Sequence, residues 1–230
     1  MPSANPKSSD AKSSPPGKVS RIVLVDDHPM VRERLAEVIN RQRDLMVCGE
    51  AEGIEDALKV IAAELPQLAI IDLSLKDGFG TDLVREVHRR HPKVAMLVLT
   101  MYDSSLYAER SLHSGALGYL TKREATTKIL EAIRKVLGGE FYLSEHLAAR
   151  VASDLAGQRR PPTAVLSDRE LEVFRLIGEG HNSREISDRF RVDMRTVETY
   201  RARIREKLDL KSPGDLLKHA IEWKQGGEGI

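Results

Sequence analysis

The chain has 230 residues, of which 41% are apolar and 31% are charged, and its net charge is +1. This length suits one large domain or two of ordinary size, and this composition excludes a largely disordered chain and a small disulfide framework. Counted by segment, no part of the chain is strongly basic. Any contact with nucleic acid must therefore come from a local patch and not from a global field.

Cysteine usage and hydropathy indicate a reducing compartment. Cys48 is the one cysteine, which excludes an internal disulfide and gives no zinc or redox motif. The longest apolar runs are far below the ~18 residues needed to cross a bilayer, and residues 1–20 lack an apolar stretch. We therefore expect a cytoplasmic protein that is neither secreted nor membrane-spanning and has no membrane partner.

The first part of the chain alternates short β-branched runs with amphipathic periods. Residues 1–20 are rich in Ser, Pro, Lys and Ala, which predicts a flexible tail. Residues 21–138 are predicted to form five βα units, and therefore an α/β domain with a five-stranded, doubly wound parallel sheet. The strands are predicted at 22–25, 46–49, 68–71, 94–99 and 118–120, and helical periods lie at 31–39, 57–65, 83–87 and 129–137.

A linker follows at residues 139–163. Gly138 and Gly139 end the last helix of the α/β domain, Ser144 is a candidate cap for a short linker helix, and residues 157–162 break the pattern again. Residues 164–230 show helical periodicity and no predicted strand. They predict a small all-α domain of four helices at 166–177, 182–190, 194–208 and 213–223.

Five polar side chains follow the predicted strands of the α/β domain. Since the carboxyl ends of parallel strands share one edge of a sheet, we expect these residues to converge there: Asp26, Asp27, Asp72, Thr100 and Lys122. Adjacent carboxylates repel unless a cation lies among them, and hard oxygen ligands suit Mg²⁺ better than zinc. Each residue alone has an ordinary role, such as a helix cap or a surface charge. Their joint placement favours an oxygen-only magnesium site with no His or Cys nearby.

These segments resemble a response-regulator receiver domain (flavodoxin-like) over residues 21 to about 138. The resemblance rests on Val25-Asp26-Asp27-His28, Ile71-Asp72-Leu73-Ser74-Leu75, Leu99-Thr100-Met101-Tyr102 and Gly115-Ala116-Leu117-Gly118-Tyr119-Leu120-Thr121-Lys122. It implies that Asp72 accepts phosphate from a sensor histidine kinase. It also implies that Mg²⁺ is held by Asp26, Asp27, Asp72 and the backbone carbonyl of Ser74.

The same resemblance assigns the switch. Thr100 and Tyr119 would be the switch pair, and Lys122 the counter-charge of the phosphate. Movement of the Thr100 hydroxyl to a phosphate oxygen would open space into which Tyr119 rotates. Lys76 stands where many receivers have proline, but the Gly-rich segment 77–80 makes the same turn. The chemistry expected is slow self-phosphorylation and dephosphorylation only, so the chain is not interpreted as an enzyme.

The helical domain contains a helix-turn-helix pattern. Ser167 and Glu170 form a capping box, flanked by Leu166 and Leu171 as a hydrophobic staple. Two further helices are separated by a short turn at residues 191–193. On the long helix, one face is shared by Val197, Arg201, Ile204 and Leu208, and its apolar members are expected to pack inward. The opposite face and its flanks supply the candidate DNA contacts, which are Arg184, Arg191, Arg195, Glu198, Thr199, Ala202, Arg203 and Lys207.

The charge pattern alone does not distinguish a DNA-binding helix from a charged, solvated helix in a small bundle. The motifs, however, look like the LuxR-type DNA-binding domain of NarL/FixJ response regulators over residues 164–225. They are Leu166-Ser-Asp-Arg-Glu-Leu-Glu-Val, Leu176-Ile-Gly-Glu-Gly, Asn182-Ser-Arg-Glu-Ile186, Thr196-Val-Glu-Thr-Tyr-Arg-Ala-Arg-Ile204 and Lys207-Leu-Asp-Leu-Lys-Ser212. Tyr200 replaces a commonly seen histidine, which should affect packing or a phosphate contact more than the fold.

The resemblance implies a DNA-binding transcriptional regulator switched by phosphorylation of Asp72. The phosphorylated form would be a homodimer that reads two half-sites of a promoter and pairs through the last helix, because a single weakly basic copy binds poorly. Two alternatives stay open. One is an orphan regulator that binds DNA without phosphate and uses its receiver as a protein-interaction module. The other is an interaction protein that does not bind DNA.

Overall fold

The computed structural model describes residues 19–156, 162–190 and 192–225. The strands are β1 (Ser20–Val25), β2 (Leu45–Ala51), β3 (Leu68–Ile71), β4 (Ser74–Leu75), β5 (Gly78–Phe79), β6 (Ala95–Thr100), β7 (Gly118–Thr121) and β8 (Tyr142–Leu143). The helices of the first part are α1 (Pro29–Asn40), α2 (Ile54–Glu64), α3 (Gly80–Arg90), α4 (Ser105–His113), α5 (Lys122–Leu137) and α6 (Glu145–Ala156). A short 3₁₀ turn (Pro162–Val165) then leads into α7 (Asp168–Gly178), α8 (Ser183–Phe190), α9 (Met194–Lys207) and α10 (Pro213–Gln225).

The main sheet is parallel, in the order β2-β1-β3-β6-β7-β8. The strand order reverses direction between β1 and β3, where Val25 pairs with Ile71. A crevice forms beyond the carboxyl ends of the strands at such a reversal. Asp26 and Asp72 directly follow these two strands, so the fold places both carboxylates at the crevice.

The prediction of five strands was wrong by one edge strand. β8 adds to the sheet beside β7, with Gly118 opposite Tyr142 and Tyr119 opposite Leu143. Two residues are too few to show a strand period, so the sequence pattern assigned them to the linker. The predicted linker helix is present as α6. Residues 1–18 of the predicted tail and residues 157–161 of the predicted linker break lie outside the described residues. The tail was predicted to run to residue 20, but Ser20 already belongs to β1.

The hairpin of β4 and β5 and the helix α4 show no clear apolar period in the sequence. β4 and β5 form a two-stranded antiparallel hairpin after β3. Helix α4 buries Ser105, Ala108 and Ser111 together with Leu106 and Tyr107, so small and polar residues fill positions where a periodicity analysis looks for large apolar ones.

The sheet is covered on both faces, as a doubly wound fold requires. Along β1, Ile22 and Leu24 pack with residues of α1 and α5, whereas Val23 and Val25 pack on the opposite side with residues of α2 and α3. This second cluster of buried side chains continues through Phe79 into α7 of the helical domain. The two domains therefore share one apolar core.

The helical domain has the four helices expected from the sequence. The capping box is formed, since the Glu170 amide donates to Ser167 Oγ at 3.3 Å and the Ser167 amide donates to Glu170 Oε2 at 2.7 Å. The turn between α8 and α9 contains Asp193, whose side chain caps the N-terminus of α9. Helix α10 packs on α7, with the rings of Phe174 and Trp223 5.6 Å apart.

Candidate functional site

An acidic pocket lies at the strand ends. The carboxylates of Asp26 and Asp72 are buried, and that of Asp27 is partly buried. Lys122 Nζ lies 2.6 Å from Asp26 Oδ2 and 2.7 Å from Asp72 Oδ2. The backbone amide of Leu73 donates to Asp72 Oδ1 at 2.7 Å. The predicted convergence of these residues on one edge is therefore present.

The expectation that no histidine lies near this pocket was wrong. His28 Nδ1 lies 3.2 Å from Asp26 Oδ1 and 2.7 Å from Asp27 Oδ1. The residue begins the turn into α1, and this turn folds the ring back over the carboxylates. One ligand atom each from Asp26, Asp27, His28 and Asp72 fits within 4.8 Å of the others.

The donor set fits a small divalent cation. Asp27 Oδ1 is a buried oxygen that lies 2.7 Å from His28 Nδ1 but accepts no hydrogen bond of good geometry from the described residues, and such an atom is costly unless something satisfies it. Carboxylate oxygens with room for water are the donors that Mg²⁺ prefers. Ser74, whose backbone carbonyl is a predicted ligand, lies in β4 directly beyond the pocket.

Burial and the neighbouring charges in the pocket shift the pKa values of Asp72 and Lys122. Burial, together with the neighbouring charge of Asp26, raises the pKa of Asp72 to about 6, although the Lys122 ammonium acts in the opposite direction. Burial tends to lower the pKa of Lys122, but the charges of Asp72 and Asp26 outweigh it and the pKa of Lys122 is raised. The pocket thus holds two buried carboxyl groups against one ammonium, a balance that a bound cation would improve.

The predicted switch residues adjoin the pocket, but Tyr119 already points inward. Thr100 ends β6 and is buried, and its Oγ1 accepts from the Tyr102 amide at 3.4 Å. Tyr119 is fully buried, and its hydroxyl donates to the Tyr102 carbonyl at 2.7 Å. An inward rotation of Tyr119 on phosphorylation is therefore not available from this conformation.

The departure at Lys76 is compensated by the hairpin. Lys76 Nζ bonds to Glu52 Oε2 at 2.9 Å, and this contact lowers the pKa of Glu52. Asp77 accepts from the backbone amides of Ile54 and Glu55 at 2.7 and 3.2 Å, so its side chain caps α2. These bonds hold the turn without proline.

Most of the predicted DNA-contacting side chains share one exposed surface. The exposed members are Arg184, Arg195, Glu198, Thr199, Ala202, Arg203 and Lys207. Arg191 lies outside the described residues. Val197 and Ile204 are buried on the opposite face of α9. The helix therefore presents short and charged side chains outward, as a helix that enters the major groove does.

Two of these residues are engaged within the domain. Lys207 Nζ bonds to the buried Glu170 at 2.6 Å, which ties the end of α9 to the start of α7. Glu198 Oε1 accepts from Ser183 Oγ at 2.5 Å, which joins the two helices of the motif. Tyr200 is half-buried against the core, and the effect of its replacing histidine on packing or on a phosphate contact stays a prediction.

Comparisons with known proteins support both the receiver resemblance of the first domain and the LuxR-type resemblance of the helical domain. The family model of the response regulator receiver domain matches residues 22–134, and that of bacterial regulatory proteins of the luxR family matches residues 164–220. The oxygen regulatory protein NreC of Staphylococcus haemolyticus is 32% identical over 212 residues, which are 89% of this chain and 98% of NreC. NreC of Staphylococcus aureus strain JH9 is 33% identical over 213 residues, with the same coverage.

The chain belongs to the NarL/FixJ family of two-component response regulators. Among solved structures it is similar to a LuxR-family response regulator from Aurantimonas sp. SI85-9A1, with 29% identity and a TM-score of 0.58 over 60% of this chain and 99% of that one. It is also similar to RcsB of Salmonella enterica serovar Typhimurium bound to a promoter with phosphomimetic BeF₃⁻, with 25% identity and a TM-score of 0.58 over 87% and 98%. Members of this family are DNA-binding transcription regulators, and phosphorylation is their usual means of control.

In this response regulator the helical domain docks on the receiver through a polar contact that sequence reasoning missed. Glu172 of α7 is 1% exposed and accepts from the hydroxyls of Tyr102 and Tyr107 at 2.6 and 3.3 Å. Arg175 donates to both oxygens of Glu172, at 2.8 and 3.0 Å. The i, i+3 spacing of Glu172 and Arg175 is typical of an ion pair on an exposed helix face, so nothing in this pattern predicts that the pair is buried.

A second contact flanks the first. Arg110 of α4 donates to Asp168 Oδ1 at 2.6 Å and to the carbonyl of Thr163 at 3.3 Å, and Thr81 also donates to Asp168. This docked arrangement leaves the outward face of α9 exposed. In the part of the chain that the structure describes, no helix is both long and apolar enough to span a membrane.

Proposed function

We propose that this response regulator is switched at Asp72, which accepts a phosphoryl group from a sensor histidine kinase, and that α9 then reads promoter DNA. The observation that carries the proposal is the meeting of Asp26, Asp27 and Asp72, with Lys122 paired to Asp26 and Asp72 and with a buried oxygen of Asp27 that accepts no hydrogen bond of good geometry in the described chain. Such a pocket suits a divalent cation and an added anion together.

Each residue has a defined part in the reaction. A carboxylate oxygen of Asp72 attacks phosphorus, an O–P bond forms, and the N–P bond to the donor imidazole breaks with the electron pair leaving on nitrogen. Mg²⁺, held by Asp26, Asp27, Asp72 and the Ser74 carbonyl, would neutralise charge on the transferring group. Lys122 pairs with the phosphate oxygens, and the Thr100 hydroxyl donates to one of them.

DNA recognition would use the exposed face of α9. Arg195, Glu198, Thr199 and Ala202 face the base edges, while Arg184, Arg191 and Arg203 contact phosphates. Because the chain is nearly neutral, one copy binds weakly and a homodimer on two half-sites joins two modest affinities. One of the similar structures contains two RcsB dimers bound to two parallel DNAs. With promoter DNA as its target, the protein acts in the cytoplasm.

The test is uptake of acid-labile phosphate from acetyl phosphate and Mg²⁺, with oligomeric state followed in the same samples. Wild type should be labelled and dimerise, and Asp72→Ala should do neither. A folded wild type that takes up no phosphate contradicts the proposal.

A second candidate is a phosphorylation-independent regulator whose receiver acts as a protein-interaction module. It is favoured by the exposure of the α9 face in the docked, unphosphorylated chain. Beryllofluoride separates the two candidates. It should raise promoter affinity if phosphorylation is the switch and leave it unchanged if it is not.

A further inference from the structure

A short path of hydrogen bonds joins the acidic pocket to the DNA-binding domain. Tyr102 Oη lies 2.6 Å from Ser74 Oγ on one side and 2.6 Å from Glu172 Oε1 on the other. A carboxylate only accepts, so Tyr102 donates to Glu172 and the Ser74 hydroxyl must donate to Tyr102. The direction of both bonds is thereby fixed. We call Ser74, Tyr102 and Glu172 the Tyr102 path.

The path is rigidly held. The Tyr102 ring stacks on Tyr107 at 4.9 Å and on Phe79 at 6.3 Å, and the Arg175 guanidinium lies 4.9 Å from its centroid. Burial and the charge of Glu172 raise the pKa of Tyr102, so the hydroxyl keeps its proton. Removal of the Tyr102 hydroxyl while α7 stays docked would leave the buried Glu172 with one donor fewer and no water to replace it.

Ser74 connects this path to the pocket. It is two residues beyond Asp72, and its backbone carbonyl is one of the proposed Mg²⁺ ligands. The far end of its hairpin is anchored separately, by Asp77 on α2. The bond to Tyr102 therefore fixes the near end of the hairpin, where the position of the carbonyl relative to Asp72 is set.

We propose that Tyr102 is a positioning residue for the phosphoacceptor pocket and that Glu172 of the docked DNA-binding domain supports it. Docking of α7 holds Tyr102, Tyr102 holds Ser74, and Ser74 presents its carbonyl to the cation. The inference rests on the proposed function, because it requires a cation to bind at Asp72.

The coupling is reciprocal by thermodynamic necessity. If docking strengthens cation binding, cation binding strengthens docking by the same factor. The signal passed to the DNA-binding domain is then a change in how firmly α7 is held. It is not an uncovering of α9, whose outward face is exposed in the docked form.

The experiment measures Mg²⁺ affinity of the full chain by calorimetry. Ser74→Ala keeps the carbonyl and removes the first bond, Tyr102→Phe keeps the ring and removes both bonds, and Glu172→Gln weakens the last. Each should raise the Mg²⁺ Kd about threefold to tenfold. The double variant Ser74→Ala, Tyr102→Phe should bind Mg²⁺ no more weakly than the weaker-binding of the two single variants, since both changes act on one path. Tyr107→Phe is the matched control, because it removes a neighbouring hydroxyl from Glu172 and leaves the Tyr102 bonds in place.

A second measurement separates positioning from mere structural support. Mg²⁺ with beryllofluoride should slow amide hydrogen exchange of α7 in wild type and leave it unchanged in Ser74→Ala. Equal or tighter Mg²⁺ binding by Ser74→Ala and Tyr102→Phe, beside a wild type that binds Mg²⁺, overturns the inference alone. A wild type that binds neither Mg²⁺ nor beryllofluoride overturns the proposed function as well.

Discussion

Arg110 of α4 and Asp168 of α7 form an ion pair across the domain interface, with Nη1 2.6 Å from Oδ1 and side chains that are 16% and 13% exposed. Pairs this well shielded contribute more than surface pairs, because solvent screens them less. The pair joins α4 of the receiver directly to α7 of the helical domain, so it reports on docking.

Arg110→Met should loosen docking while both domains stay folded. The change leaves Asp168 without its guanidinium partner, which should cost about 1–3 kcal/mol of docking free energy. Small-angle scattering should show a larger radius of gyration. Arg134→Met is the control, since Arg134 pairs with Asp44 in an exposed setting and should leave the dimensions unchanged. An unaltered radius in Arg110→Met would show that this pair does not hold the domains.

The raised pKa of Asp72 predicts a specific pH dependence of stability. The carboxyl titrates near 3.8 when unfolded and at about 6 when folded, so the folded state holds its proton longer. The free energy of unfolding should therefore fall as pH rises through this window, by roughly 3 kcal/mol at most. Asp72→Asn has no titrating carboxyl at this position, so its free energy of unfolding should not show this fall.

Urea unfolding between pH 4 and 7 checks this prediction. In chelator, wild type should lose stability relative to Asp72→Asn as pH rises, and Mg²⁺ should restore it at pH 7 only in wild type. Curves that stay parallel across the window, with or without Mg²⁺, would contradict the titration assigned to Asp72.

The exposed face of α9 predicts two kinds of DNA variant. Arg203→Ala should weaken binding for all sequences and reduce the salt slope by about 1, as loss of one phosphate contact does. Arg195→Ala should cost about 1–3 kcal/mol and relax sequence preference. Lys207→Ala should leave the salt slope unchanged, because its ammonium is bonded to Glu170. DNA-binding titrations at several salt concentrations measure these slopes. A larger change in slope for Lys207→Ala than for Arg203→Ala would contradict the prediction.

Close packing of α7 on α10 predicts a steric effect at Gly178. A Cβ there would lie 2.4 Å from the Ala220 carbonyl oxygen, so Gly178→Ala should destabilise the helical domain by about 1–3 kcal/mol. Gly214→Ala is the matched control, since its nearest neighbour would be Ser212 Oγ at 3.6 Å. Trp223, the one tryptophan, is buried on Phe174 and reports the unfolding by fluorescence. Equal midpoints for the two variants would argue against this packing.

Much of the fold and of the acidic pocket could be predicted from the sequence, because strand ends and helix caps leave local signals. Asp26 and Asp72 follow apolar runs, and Ser167 with Glu170 marks a helix start. His28 contacts its chain neighbours Asp26 and Asp27, but the direction of its ring depends on how the turn into α1 folds. The inward Tyr119 and the docking of Glu172 depend on contacts between distant segments. Periodicity and spacing carry no information about such contacts, so Glu172 is indistinguishable in sequence from an exposed helix residue.

The edge strand β8 affects where the receiver can be cut. A sheet edge with free amides and carbonyls is a template for pairing with other chains, and proteins usually cover it. Tyr142 and Leu143 cover β7 in this way. A chain ended at residue 138 would lose both residues and leave β7 as an open, apolar edge. Aggregation of such a fragment would then reflect a missing strand and not an unstable receiver.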